Sequence, residues 1–160
     1  MRPGREIDAR VAQEIFGFEV FAKNKVLHES TEKGPRPLRN YSKEIEWAWQ
    51  VAEKMRVSLV PIQGGQWFAF AGPIEGWENP EAFLTYLREG DFSRCGASVS
   101  TDAAAAICEA ALVANQKNQI HESQAKLHLL ESTEEGSAET SSKENSESSE
   151  KNPSDKSPLH

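Results

Sequence analysis

The chain has 160 residues and a formal net charge of −7, a balance without the concentrated basic surface of a duplex nucleic-acid binder, so no such partner is expected. No apolar run reaches the roughly 18 residues of a membrane span and the N-terminus has no signal-peptide core, so the expected setting is a reducing cytoplasm with no membrane association. Its two cysteines, Cys95 and Cys108, have no CxxC spacing and read as buried thiols.

Ile7, Val11 and Ile15 repeat at four-residue spacing, with Ala12 and Phe16 beside them, which predicts a first helix over residues 4–16 closed by Gly17. Residues 18–22 alternate weakly, as a short strand or an extended link. Residues 24–40 are polar and contain Gly34-Pro35 and Pro37, so they read as a long loop. The cations Lys33, Arg36, Arg39 and Lys43 gather there and read as solvated loop charges. Ser42 can cap a second helix over residues 43–56, with Glu44 in its positive first turn. Its apolar stripe is Ile45, Ala48, Trp49, Ala52 and Met55, extended sideways by Trp47 and Val51. Core packing is expected of both tryptophans, in preference to stacking on a planar ligand.

Two β-prone runs, Val57–Ile62 and Gln66–Ala71, flank Gly64-Gly65, a hairpin signal because glycine tolerates the positive φ of tight turns. With Gly64 and Gly65 as the two loop residues, Ile62 faces Trp67, Pro61 faces Phe68, Val60 faces Ala69 and Leu59 faces Phe70. Both faces are then apolar, which predicts helices on each side of the sheet. Pro61 cannot donate to a ladder, so its strand belongs at an edge. Asn79-Pro80 opens a third helix carrying Phe83, Leu84 and Leu87 and ending at Gly90. Residues 95–100 follow as a small-residue strand of open direction, completing one sheet with the hairpin. Ser100 or Thr101 caps an alanine-rich fourth helix, whose small side chains permit close approach to that sheet. It weakens into a helical extension over residues 117–131, marked by Ile120, Leu127 and Leu130. His121 and His128 are seven residues apart on it, too far for the usual metal pair, and read as exposed.

From residue 132 to the end there are nine Ser, seven acidic residues and three Lys. Such a segment buries too little apolar surface to offset its ordering entropy and is expected to be disordered. The expected fold class is α+β, a three-layer α/β/α sandwich with a small sheet, four main helices and a C-terminal tail.

Four segments in order, residues 4–12 (GREIDARVA), 41–55 (YSKEIEWAWQVAEKM), the hairpin and 100–112 (STDAAAAICEAAL), resemble the small bacteriophage and prophage proteins of the phage ABA sandwich domain family. The likeness covers residues 4–115 and makes residues 1–116 the sandwich-like domain. It implies the same layered fold and brings no catalytic residues. The insert at 73–94 and the tail exceed the family pattern.

The first functional expectation is a non-enzymatic phage or prophage accessory protein in the host bacterial cytoplasm, binding a host protein or a small metabolite, with counter-defence as one use. A structural or self-associating phage component, a homo-oligomer, comes second. A small enzyme comes last. Asp8, Glu44, Glu46, Asp91 and Asp102 supply carboxylates, but acid–base work needs a convergent pair. No catalytic, cofactor-binding or metal-ligating residue is singled out, no cofactor is expected, and ligand- or partner-binding residues are unassigned.

Overall fold

The computed structural model describes residues 4–73 and 76–135. The chain divides into two units, Met1–Ala125 and Lys126–His160. The tail expected from residue 132 lies, beyond residue 135, outside the described residues.

The fold is α+β, with four α-helices and two antiparallel three-stranded sheets among the described residues. Helix α1 (Arg5–Arg10) runs into a π turn (Val11–Ile15). The expected first helix thus widens half-way, and it stops at Gly17, whose φ is +73°. The π turn keeps Val11, Ala12 and Ile15 in the core, and the Glu14 carbonyl receives a hydrogen bond from Asn115 Nδ2 at 3.4 Å.

The stretch read as a long loop is mostly sheet. Strands β1 (Glu19–Lys23), β2 (Val26–Thr31) and β3 (Gly34–Pro37) pair in sequence order. Lys23 pairs with Val26, so Asn24 and Lys25 form a two-residue turn, and both have positive φ, 53° and 63°. That is the geometry of a type I′ hairpin. The two prolines that argued for a loop sit on β3, an edge strand, where a missing N–H can face away from the ladder.

Helix α2 (Ile45–Met55) starts later than expected and has Glu44 at its N-cap position. Ser42 does not cap it. Its backbone N–H and its hydroxyl both donate to Asp8 Oδ1, at 2.8 and 2.9 Å, deep in the structure. Ala48, Val51, Ala52 and Met55 are buried as the helical period requires, but Ile45 and Trp49 are about half exposed. Trp49 is therefore a surface residue, contrary to expectation, while Trp47 packs against the core.

The second sheet comprises β4 (Val57–Ile62), β5 (Gln66–Ala71) and β6 (Gly96–Ser100), antiparallel throughout, with β4 at an edge as Pro61 demands. Its register is one residue off the expected one. Ile62 pairs with Gln66, Pro61 with Trp67, Val60 with Phe68 and Leu59 with Ala69, so the loop is Gln63-Gly64-Gly65. Both glycines have positive φ, 81° and 69°, which satisfies either loop length; the three-residue loop changes which residues share a face. Leu59, Trp67, Ala69 and Ala71 now lie together and join the buried side chains of α1, the π turn, α2 and α4 in one hydrophobic cluster. Trp67 keeps its helix-covered face but sits opposite Pro61.

The other face carries Val60, Ile62, Phe68, Phe70 and Val99. Helix α3 (Pro80–Glu89), capped by the Asn79 side chain accepting from Ala82 N, leads into a 3-10 turn (Phe92–Arg94) on this side. There Phe92 meets Phe70 edge-on at 6.0 Å and Tyr86 at 5.2 Å.

Helix α4 (Ala103–Glu135) is capped by Asp102 Oδ1, which accepts from Ala104 N at 2.9 Å, while Ser100 Oγ accepts from Asp102 N. Neither Ser100 nor Thr101 supplies the cap itself. From Ala104 to Ala114 the helix buries almost every side chain. It lies so close to β6 that a Cβ on Gly96 would overlap the Ala110 carbonyl and the Ala114 amide.

Two stability predictions follow from these contacts. Gly96→Val should lower stability by about 3 kcal/mol, the upper range for overpacking, because the obstructing atoms are helix backbone and cannot swing aside; urea unfolding checks it. Replacing Gly64 and Gly65 together by Val forces β-branched side chains into positive φ and should cost about 2 kcal/mol or more. Unchanged midpoints for either variant would contradict the corresponding geometry.

Candidate functional site

Between β5 and β6, residues 76–94 carry a concave surface. Gly72 ends β5, and a side chain there would overlap the Trp77 indole, whose Cζ2 lies 2.5 Å from the position of an added Cβ. Glycine thus lets the edge of the Trp77 ring approach the backbone at the strand end. Trp77 then meets Phe83 at 5.3 Å and Tyr86 at 4.6 Å, both tilted, the non-parallel geometry that ring quadrupoles favour. The Tyr86 hydroxyl is tied to the Asp91 carbonyl and lies 2.9 Å from Cys95 Sγ.

These anchors leave a depression of about 500 Å³ lined by Trp77, Ala82, Thr85, Tyr86, Glu89 and Gly90. Ala82, Thr85, Tyr86 and Glu89 are successive members of one face of α3, spaced by three, one and three residues. The aromatic floor offers dispersion and stacking, and Glu89 offers one carboxylate at the edge. No side chain of α3 is buried, so the helix is held chiefly by its flanking aromatic contacts. No residue of this site was singled out in the sequence. The available signal was an aromatic-rich insert bounded by Gly72-Pro73 and Gly90.

A second cluster forms around Glu29, the only buried acid of the first sheet. Its Oε1 accepts from Arg36 Nε at 2.6 Å and lies 4.0 Å from Arg39 Nε, and its Oε2 accepts from the Tyr41 hydroxyl at 2.9 Å. Arg39 also lies over the Trp47 ring at 3.7 Å and donates from Nη1 to Gln50 Oε1 at 3.0 Å. Arg36 lies over Phe18 at 5.7 Å. Phe16 stacks on both Phe18 and Tyr41 and carries Lys54 over its ring. Burial, then the neighbouring Glu29 charge, push the Tyr41 hydroxyl above its ordinary range, so it remains a proton donor to Glu29. The expectation that Arg36 and Arg39 are mere solvated loop charges is incomplete, because both engage a buried carboxylate; Lys33 and Lys43 are exposed.

The carboxylates named from the sequence have local structural tasks. Asp8 is buried and accepts from Ser42. Glu44 accepts from Trp47 Nε1 and Asn40 Nδ2. Asp91 accepts from Ser93 and Asp102 caps α4. Glu46 is exposed in the first turn of α2. Among the described residues no three His, Cys, Asp or Glu side chains gather as a metal-binding group. His121 and His128 are exposed, and no described helix is long and apolar enough to cross a membrane.

Both cysteines are buried and free. Burial, with the Asp8, Glu109 and Asp102 charges adding to it, pushes the Cys108 thiol up. It stays protonated at and well above neutral pH, so a disulfide-exchange reagent at pH 8 should label Cys108 only as fast as the protein opens. Rapid labelling of native protein, at the rate seen in urea, would contradict that burial.

No family model and no curated protein matches the chain. Among solved structures it is similar to a phage protein from Bacillus cereus ATCC 14579, at 24% identity and a TM-score of 0.48, over 71% of this chain and 87% of that one.

Proposed function

We propose that this chain is a phage or prophage accessory protein of the ABA sandwich type that works in the host bacterial cytoplasm by binding, without catalysis, a host protein or a small metabolite. The phage setting rests on the order and spacing of the four segments within residues 4–112. The binding role rests on one observation, the depression at Trp77. Its volume of about 500 Å³ falls in the range of roughly 300–1,000 Å³ usual for ligand sites, and such sites are mostly apolar with few polar groups. Aromatic rings seated on a strand end and a 3-10 turn present rigid contact area at low entropic cost. The site lies in the insert by which this chain exceeds the family pattern, where a role particular to it would be placed.

A second reading, self-association, is favoured by the uncovered end of the second sheet. Val60, Ile62 and Val99 share one face and are 46%, 40% and 51% exposed. A second copy laid on this face would remove them from water.

Recovery from a bacterial host separates these readings. Wild type isolated under native conditions should carry a small molecule or a host protein identifiable by mass spectrometry. Trp77→Ala should lose about tenfold or more of it, the equivalent of removing one good aromatic contact, while Trp49→Ala on α2 should retain it. Equal recovery with Trp77→Ala would overturn the assignment of the depression. Sedimentation as a dimer that Val60→Glu converts to monomer would favour the second reading.

A further inference from the structure

The first sheet carries a second site of different chemistry, independent of the depression on α3. Glu29 is fully buried on the central strand β2 and has one negative charge. Two guanidinium groups converge on its single oxygen Oε1, Arg36 at 2.6 Å and Arg39 at 4.0 Å, because the other oxygen is taken by Tyr41. One carboxylate therefore answers two cations. The excess positive charge sits at a surface that is 32% exposed at Arg36 and 22% at Arg39, in a chain whose net charge is −7. Among the described residues neither arginine forms an ion pair with Glu44, whose oxygens accept from Trp47 and Asn40.

The donors are also fixed in place. Arg36 is held through Nε and lies over Phe18; Arg39 is held through Nη1 by Gln50 and lies over Trp47. Both terminal nitrogens of Arg36 and Nη2 of Arg39 have no hydrogen-bond partner among the described residues. A guanidinium presents its N–H groups as a planar fork that matches tetrahedral oxyanions, and stacking on an aromatic ring removes the rotamer entropy that a free arginine would lose on binding. We propose that Arg36 and Arg39 form an anion site that takes the phosphoryl group of a small molecule. Glu29 and Tyr41 position the two arginines, and the bound phosphoryl group supplies the further negative charge that Glu29 alone does not.

Arginine side-chain NMR tests this, with inorganic phosphate and adenosine monophosphate as separate probes. Each is titrated into the full chain at low ionic strength while the Nε–Hε signals of Arg36 and Arg39 are followed. At least one probe should saturate these signals with a Kd on the order of 1 mM or below, and added salt should weaken it. Tighter binding of the monophosphate identifies a phosphoester ligand; equal binding identifies free phosphate, and both support the site. Arg36→Lys, which keeps the charge but loses the fork, and Arg39→Gln, which leaves the Arg36–Glu29 pair intact, should each weaken binding about tenfold. Arg88→Gln on α3 should not change it. Absence of saturation with both probes, or undiminished saturation in folded Arg39→Gln, would overturn the proposal.

Discussion

The contact on which the second sheet depends is backbone against backbone. At Gly96 the strand β6 meets α4 without an intervening side chain, facing the Ala110 carbonyl and Ala114 amide. Helix and strand can come this close only if both partners are stripped, so the glycine on one side and the run of alanines on the other are two halves of one requirement. With α4 set at that distance, its larger members Ile107, Cys108 and Leu112 become fully buried. They join α1 and α2 in a core whose sheet side is built from Ala69 and Ala71. The small residues determine spacing, and the few large ones then fill the remaining volume.

Two buried carboxylates do for the N-terminal half what alanine does for the C-terminal half. Asp8 holds the segment before α2 through Ser42, and Glu29 holds it through Tyr41 and Arg36. Removing a hydrogen-bond partner from a buried carboxylate typically costs about 1–3 kcal/mol, because the remaining charge stays desolvated. These networks therefore define where residues 36–44 run, and hence how Trp47 and Arg39 come to lie face to face. The first sheet is held to the core by polar as well as apolar contacts, which explains its weak hydrophobic signature.

That signature decided what could be read from the residues. Helices α2, α3 and α4 and the Gly64-Gly65 hairpin were legible because apolar period, Asn-Pro and Gly-Gly are local signals with local causes. The hairpin register was not, since positive φ at two glycines fits a two-residue or a three-residue loop, and only packing against α4 selects between them. Of the first sheet only β1 was offered as a strand; β2 and β3 were missed because β2 buries Glu29 where an apolar residue is expected, the first turn uses Asn24-Lys25 instead of glycine, and β3 contains two prolines. Ser42 looked like a cap and is a buried partner of Asp8, a contact across 34 residues that no local pattern announces. Likewise Arg36 and Arg39 were visible as charges, while the carboxylate that gathers them was not.

The two surfaces proposed to bind are placed on opposite terms. Around Trp77 the recognition is apolar and aromatic, built on a helix with no buried side chain of its own, so its stability is coupled to whatever covers it. A ligand that binds only the ordered form stabilises it by mass action. Around Glu29 the recognition is electrostatic and preorganised, because ring stacking and a fully buried acid hold the arginines before any ligand arrives. Occupation there gains little order and acts through charge and the fixed guanidinium fork, which makes it more sensitive to salt than the aromatic site. A binder equipped with both would respond to ionic conditions at one surface and to shape at the other.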